Sequence, residues 1–186
     1  ELTGYKSQQQ VVLDNTERFL AGLPANNILL YGDRGTGKSS TVKALLNRYQ
    51  NRGLRLVEVP RSALGDYLLI IKQLRRRPQR FILFIDDLSF EESETEYKEL
   101  KAVLEGGLEN RPANVLIYAT SNRRHLVKEN FTDRQPVLEP NGEVRPADTV
   151  QEKLSLAARF WITLLYTETD RKLYLDIVRE AARLRG

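Results

Sequence analysis

The stretch Asn27-Ile28-Leu29-Leu30-Tyr31-Gly32-Asp33-Arg34-Gly35-Thr36-Gly37-Lys38-Ser39 decides the fold. It opens on an apolar run of strand length, 27–31, and turns through glycines into a helical pattern over 37–49. Gly32 to Ser39 fits the pattern GxxxxGK[ST]. The glycines let the backbone curl until successive N–H groups converge on phosphate oxygens, and the helix beginning at Gly37 adds the positive end of its dipole. Lys38 is long enough to reach the β- and γ-phosphates of a nucleotide, and the Ser39 hydroxyl can ligate Mg2+. The alternative, a glycine turn that binds nothing, is disfavoured by the strand before the turn and the helix after it.

Phe81-Ile82-Leu83-Phe84-Ile85-Asp86-Asp87 is a second decisive stretch. A strand apolar on both faces belongs in the middle of a parallel sheet covered by helices. Its carboxyl end lies at the same sheet edge as the phosphate loop, where ligands bind in such folds. There Asp86 would hold Mg2+ through its water shell, and Asp87 would orient or deprotonate the attacking water. Glu91 or Glu92 would take the second role if the turn folds back. Two solvent-facing acids ending a strand are the bland alternative. Val115 to Asn122 is another buried strand with a polar end, where Asn122 either positions water beside the acidic pair or belongs to an ordinary polar turn.

Working outward, strands are expected over 27–31, 54–59, 81–85, 115–119 and 160–165, and helices over 6–21, 37–49, 66–76, 93–105 and 149–158, with a last helix from 169 or 170. Strands alternating with helices mean an α/β fold with a largely parallel sheet. The span 126–148 is long for a loop and holds Pro136, Pro140 and Pro146, with a hairpin tip expected at Asn141-Gly142.

The 186 residues contain no Cys and one His, which excludes disulfides, zinc–thiolate sites and thiol nucleophiles and leaves no multi-histidine metal site. No apolar run approaches the roughly 18 residues of a membrane span, and residues 1–6 carry no apolar signal region, so no membrane partner and a cytoplasmic location are expected. The chain has no Met, not even an initiator, so it is expected to be a trimmed or engineered piece of something longer.

A net charge of +4 hides an uneven distribution. Residues 52–80 carry 8 basic and 2 acidic side chains, and residues 81–110 carry 2 basic and 9 acidic ones. Arg75-Arg76-Arg77 with Arg80 is the densest basic cluster, read as a solvated helix end or as a surface for nucleic acid or an acidic partner. Arg123-Arg124-His125 is read as surface, or as a contact to a partner subunit or ligand. Arg159, before the last strand, either reaches a neighbouring subunit's phosphates or makes an ion pair within the chain.

In this order the motifs resemble those of an AAA+ ATPase. More closely, Ala25-Asn26-Asn27, Gly32 to Ser40, Asp86 to Glu91, Leu104 to Leu108, Tyr118 to His125 and Glu152 to Leu156 resemble a bacterial AAA+ family described only as ATP-binding proteins with a domain of unknown function. The resemblance implies a P-loop core with a five-stranded parallel sheet in the order 5-1-4-3-2. Gly32, Asp33, Arg34, Gly35, Thr36, Gly37, Lys38, Ser39 and Ser40 would then bind ATP. Ser39 and Asp86 would hold the metal, Asp87 and Asn122 would serve hydrolysis as Walker B acid and sensor 1, and Arg159 would be the arginine finger of a ring or helical homo-oligomer. Leu2 to Tyr5 would enclose the adenine. Residues 1–166 would form the core and 167–186 the start of a truncated helical lid without its sensor 2 arginine. Trp161 stands where a small residue is expected.

The function expected is an Mg2+-ATP hydrolase remodelling a macromolecule. A P-loop kinase of a small molecule or nucleotide, which would need an acceptor pocket, and a nucleotide-binding module with negligible turnover are the alternatives.

Overall fold

In the computed structural model, which describes residues 5–88, 104, 112–122 and 160–167, the apolar runs become β1 (Ile28–Gly32), β2 (Leu54–Glu58), β3 (Arg80–Ile85), β4 (Val115–Ser121) and β5 (Ile162–Tyr166). All pair in parallel, in the order β2-β3-β4-β1-β5. Every residue of β1 and β4 is buried, as is β3 from Phe81 onward, because these strands are covered on both faces. The edge strands β2 and β5 are only partly buried.

The period of two along each strand splits the core between the faces. On one face α1 (Lys6–Leu20) and α2 (Lys38–Tyr49) set Val12, Phe19, Val42 and Leu45 against Ile28, Leu30, Ile82 and Phe84. On the other, α3 (Tyr67–Leu74) sets Tyr67 and Ile71 over Leu83 and Ile117, next to Leu29. Each such side chain contributes about 1.5–3 kcal/mol of burial. Beneath α1 a polar knot is fully paired: Asn15 donates to the Tyr118 hydroxyl at 2.9 Å and to the Asn26 carbonyl at 2.8 Å, and Thr16 shares a hydrogen bond with the same hydroxyl.

Three elements differ by more than one residue from the pattern read in the sequence. The helix expected over 66–76 starts at Tyr67, after a 3₁₀ turn (Arg61–Asp66), and ends at Leu74. Asn114, from the turn before β4, donates to the carbonyls of Leu74 and Arg77 at 3.0 Å, and Pro78 holds Arg77 out of helical geometry. The fourth strand runs two residues beyond the expected 119, so Thr120 and Ser121 belong to the sheet. The last strand begins at Ile162, where its register with Ile28 of β1 begins. The helices expected over 93–105, 149–158 and from 169 or 170, and the turn at 141–142, lie outside the described residues, apart from Leu104, which is buried in the cluster beneath α3.

A parallel sheet puts all its strand ends on one edge and all its strand starts on the other. The carboxyl edge gathers Gly32, Asp86 and Ser121; the amino edge gathers the ends of the three helices.

Candidate functional site

At the carboxyl edge β1 runs into the phosphate loop. Gly32 has φ 126° and lies so close to β5 that no side chain fits, while the Asp33 N–H donates to the Tyr166 carbonyl at 2.8 Å. Gly35 and Gly37 have φ 75° and 87°, left-handed backbone that only glycine adopts without strain. Gly37 is the residue before α2, so the loop delivers its N–H groups to a helix start. The Thr36 hydroxyl ties back to the Asp33 carbonyl at 2.8 Å.

Lys38 is buried, with its ammonium donating to the carbonyls of Gly32 at 3.1 Å and Asp33 at 2.5 Å. Burial lowers its pKa; the charges of Asp33, Asp87 and Asp86 oppose that shift. The ammonium thus sits inside the curl of the loop.

Across from the loop, β4 holds the acidic pair that ends β3. Asp86 Oδ1 accepts from the Ser39 hydroxyl at 2.7 Å and from the Thr120 hydroxyl at 2.5 Å. Thr120 also receives the Asp87 N–H at 2.9 Å, and its carbonyl receives the Leu88 N–H at 2.7 Å. Asp87 has φ 54°, a left-handed conformation that Asp and Asn tolerate better than other residues with a side chain. Asn122 donates from Nδ2 to Asp87 Oδ1. Ser39, Asp86, Asp87 and Asn122, distant in the chain, are therefore linked side by side. Thr120 is the residue that sequence reasoning missed. Its signal was a hydroxyl at the polar end of a buried strand, but only the pairing of Ile85 with Ala119 brings it next to Asp86.

The hydroxyl and carboxylate oxygens of Ser39 and Asp86 fit Mg2+, a hard cation usually held by one or two carboxylates together with phosphates and water. Among the described residues no cluster of three or more His, Asp or Glu side chains offers another metal site.

Tyr5, ahead of α1, stacks on Tyr166 with ring centroids 4.6 Å apart and donates to the Thr167 carbonyl. Burial, with a smaller contribution from Asp33, raises its pKa. The contact brings the start of the chain to the end of β5 beside the loop. Residues 2–4, Glu91, Glu92, Arg123 to His125 and Arg159 lie outside the described residues. Trp161 is 71% exposed while its neighbour Phe160 is buried, so the large ring points away from the core. Among the described residues no helix is long and apolar enough to cross a membrane.

The chain matches, over residues 1–186, the family described as "Protein of unknown function (DUF815)", and it belongs to that family. No curated protein matches the sequence. Among solved structures it is similar to the Orc1 protein of Aeropyrum pernix in complex with DNA, at 16% identity and a TM-score of 0.67, covering 98% of this chain and 50% of that one. It is also similar to the RuvB Holliday junction branch migration motor of Thermotoga maritima, at 18% identity and a TM-score of 0.60, covering 98% and 52%. A singly substituted form of that motor gives 18% and 0.61, with the same coverage. The chain thus spans about half the length of these proteins. At such identities the likeness establishes the fold alone, a P-loop fold of AAA+ type.

Proposed function

We propose, with the AAA+ fold as premise, that this chain binds ATP with Mg2+, hydrolyses it, and couples the hydrolysis to remodelling of a macromolecular partner. The observation that carries the reading is the meeting of the phosphate loop with the acidic strand end, through Ser39 and Asp86 at 2.7 Å. In this reading Gly32 to Ser40 cradle the phosphates, with Lys38 as their cation. Ser39 and Asp86 hold the metal ion, which when bound neutralises charge on the transferring phosphoryl group. Asp87 takes the proton of the attacking water, and Asn122 orients both the carboxylate and that water. Arg159 serves the nucleotide of a neighbouring copy in a ring or helical assembly. Residues 1–166 make the core, and 167–186 begin a helical lid.

The test is release of inorganic phosphate from Mg2+-ATP without any acceptor. Release supports hydrolysis. Phosphate transfer that requires an added acceptor indicates a kinase, and measurable affinity without release indicates a binding module. Mixing Lys38→Ala with Arg159→Ala chains in an assembled sample tests the trans role: activity well above either alone is expected, and no gain would return Arg159 to a structural ion pair.

A further inference from the structure

The opposite edge of the sheet has no part in that chemistry, yet it gathers most of the arginines described. In a parallel sheet each helix returns to the amino edge before the next strand, so residues far apart in sequence collect there. Arg18 closes α1; Arg48 and Arg52 stand at the end of α2; Arg75, Arg76 and Arg77 follow α3, with Arg80 opening β3. Arg55 joins them, its guanidinium turned back onto the carbonyls of Gln50 and Leu54 at 3.0 and 2.7 Å. Within these helix ends and turns (residues 17–27, 46–53, 74–80 and 112–114) there are seven arginines and one carboxylate, Glu17, which accepts from the Tyr49 hydroxyl at 2.8 Å. Among the described residues none of these arginines is in an ion pair.

The cluster is built rather than diffuse. Arg48 and Arg52 both lie against the Tyr49 ring, 5.6 and 5.5 Å from its centroid, and Arg80 lies 5.3 Å from the Phe19 centroid. Arg80 also donates to the Ala113 carbonyl at 2.6 Å. The turn carrying the exposed Arg75, Arg76 and Arg77 is pinned by Asn114, which bonds the carbonyls of Leu74 and Arg77. The planar guanidinium groups of Arg48, Arg52 and Arg80, held this way, lose little freedom on meeting a planar oxyanion.

We propose that the amino edge of the sheet binds the phosphate backbone of a nucleic acid, about 17–20 Å of strand away from the nucleotide site. An acidic protein fits less well, because protein interfaces centre on buried apolar anchors. The exposed large apolar side chains described at this end are two separated ones, Leu23 and Trp161. Charge without apolar anchors suits a ligand that is itself a line of charges. The proposal stands independently of hydrolysis.

The experiment titrates the chain into fluorescein-labelled single strands and duplexes about 25 nucleotides long, without ATP, and follows anisotropy at several salt concentrations. Binding of either form that weakens steeply with salt is expected. The variant Arg75→Ala/Arg76→Ala/Arg77→Ala should lower the slope of log affinity against log salt by about 2–3 and weaken binding roughly 100-fold at about 0.1 M salt. Arg48→Ala/Arg52→Ala, on a different helix, should show the same effect to a smaller extent. Saturating Mg2+-ATP should leave the curves unchanged. The proposal is overturned by absent binding, by affinities that neither variant alters, by full competition from ATP, or by equally tight binding of poly-glutamate, which would indicate an acidic protein.

Discussion

Replacing Gly32 with alanine probes the junction from which the phosphate loop hangs. A Cβ added there would lie 2.0 Å from the Tyr166 carbonyl oxygen, 2.7 Å from its carbon and 3.0 Å from its nitrogen. These are backbone atoms, and the same oxygen accepts the Asp33 N–H at 2.8 Å, so no side-chain rotation relieves the contact. The backbone conformation alone costs an alanine about 1–3 kcal/mol. Moving β5 aside forfeits ~1 kcal/mol of hydrogen bonding and roughly 1–3 kcal/mol of packing. The loss, about 3–7 kcal/mol, is a large share of the ~5–15 kcal/mol that holds a domain folded. Gly35→Ala is the control: its φ of 75° costs about 1–2 kcal/mol, but its Cβ meets nothing within 4 Å. Urea unfolding followed by circular dichroism should therefore place the midpoint of Gly32→Ala well below that of Gly35→Ala. A Gly32→Ala chain no less stable than Gly35→Ala would refute the argument that the approach of β5 demands glycine.

Lys38→Ala should weaken ATP roughly ten-fold or more, since a charge-assisted contact is worth ~1.5–3 kcal/mol; titration of a fluorescent ATP analogue checks this, and equal affinities would end the phosphate-loop reading. Asp87→Asn should retain nucleotide affinity and lose phosphate release, because an amide takes no proton while still tolerating φ 54°; release at the unaltered rate would move the base to Glu91 or Glu92. Asp86→Asn should instead weaken ATP binding and its Mg2+ dependence together, read from titrations with and without the ion. Burial pushes the Tyr118 hydroxyl up from 10.0 to about 12. Between those pH values the unfolded chain has lost a proton that the folded chain keeps. The stabilisation is therefore complete below about pH 10 and is lost, at about 1.4 kcal/mol per pH unit, as pH rises through 12. In urea titrations across that range Tyr118→Phe should lack this part of the alkaline loss, and near neutrality it should be about 1–3 kcal/mol less stable through the two hydrogen bonds that Asn15 and Thr16 lose, each keeping its backbone partner.

Strand and helix identities were legible in the residues because they rest on local periodicity: continuous apolar runs for β1, β3 and β4, a 3.6-residue pattern for α1 and α2. The phosphate loop was legible because the chemistry of Gly32 to Ser39 is contained in consecutive residues. What depended on strand order was not. The order 5-1-4-3-2 came from family resemblance, and the sheet has it. Thr120 shares Asp86 with Ser39 only because β3 lies between β2 and β4, with Ile85 opposite Ala119. Arg75 to Arg77 read as one helix end; their company with Arg18, Arg48 and Arg52 arises because a parallel sheet returns every helix to the same edge. Arg80, counted with that cluster, is half-buried over Phe19, a contact between residues 61 apart. Local pattern determines what each segment becomes, since its hydrogen bonds or its apolar face are its own. Which side chains then share a site is decided by register, and register is set by packing between segments that the sequence keeps far apart.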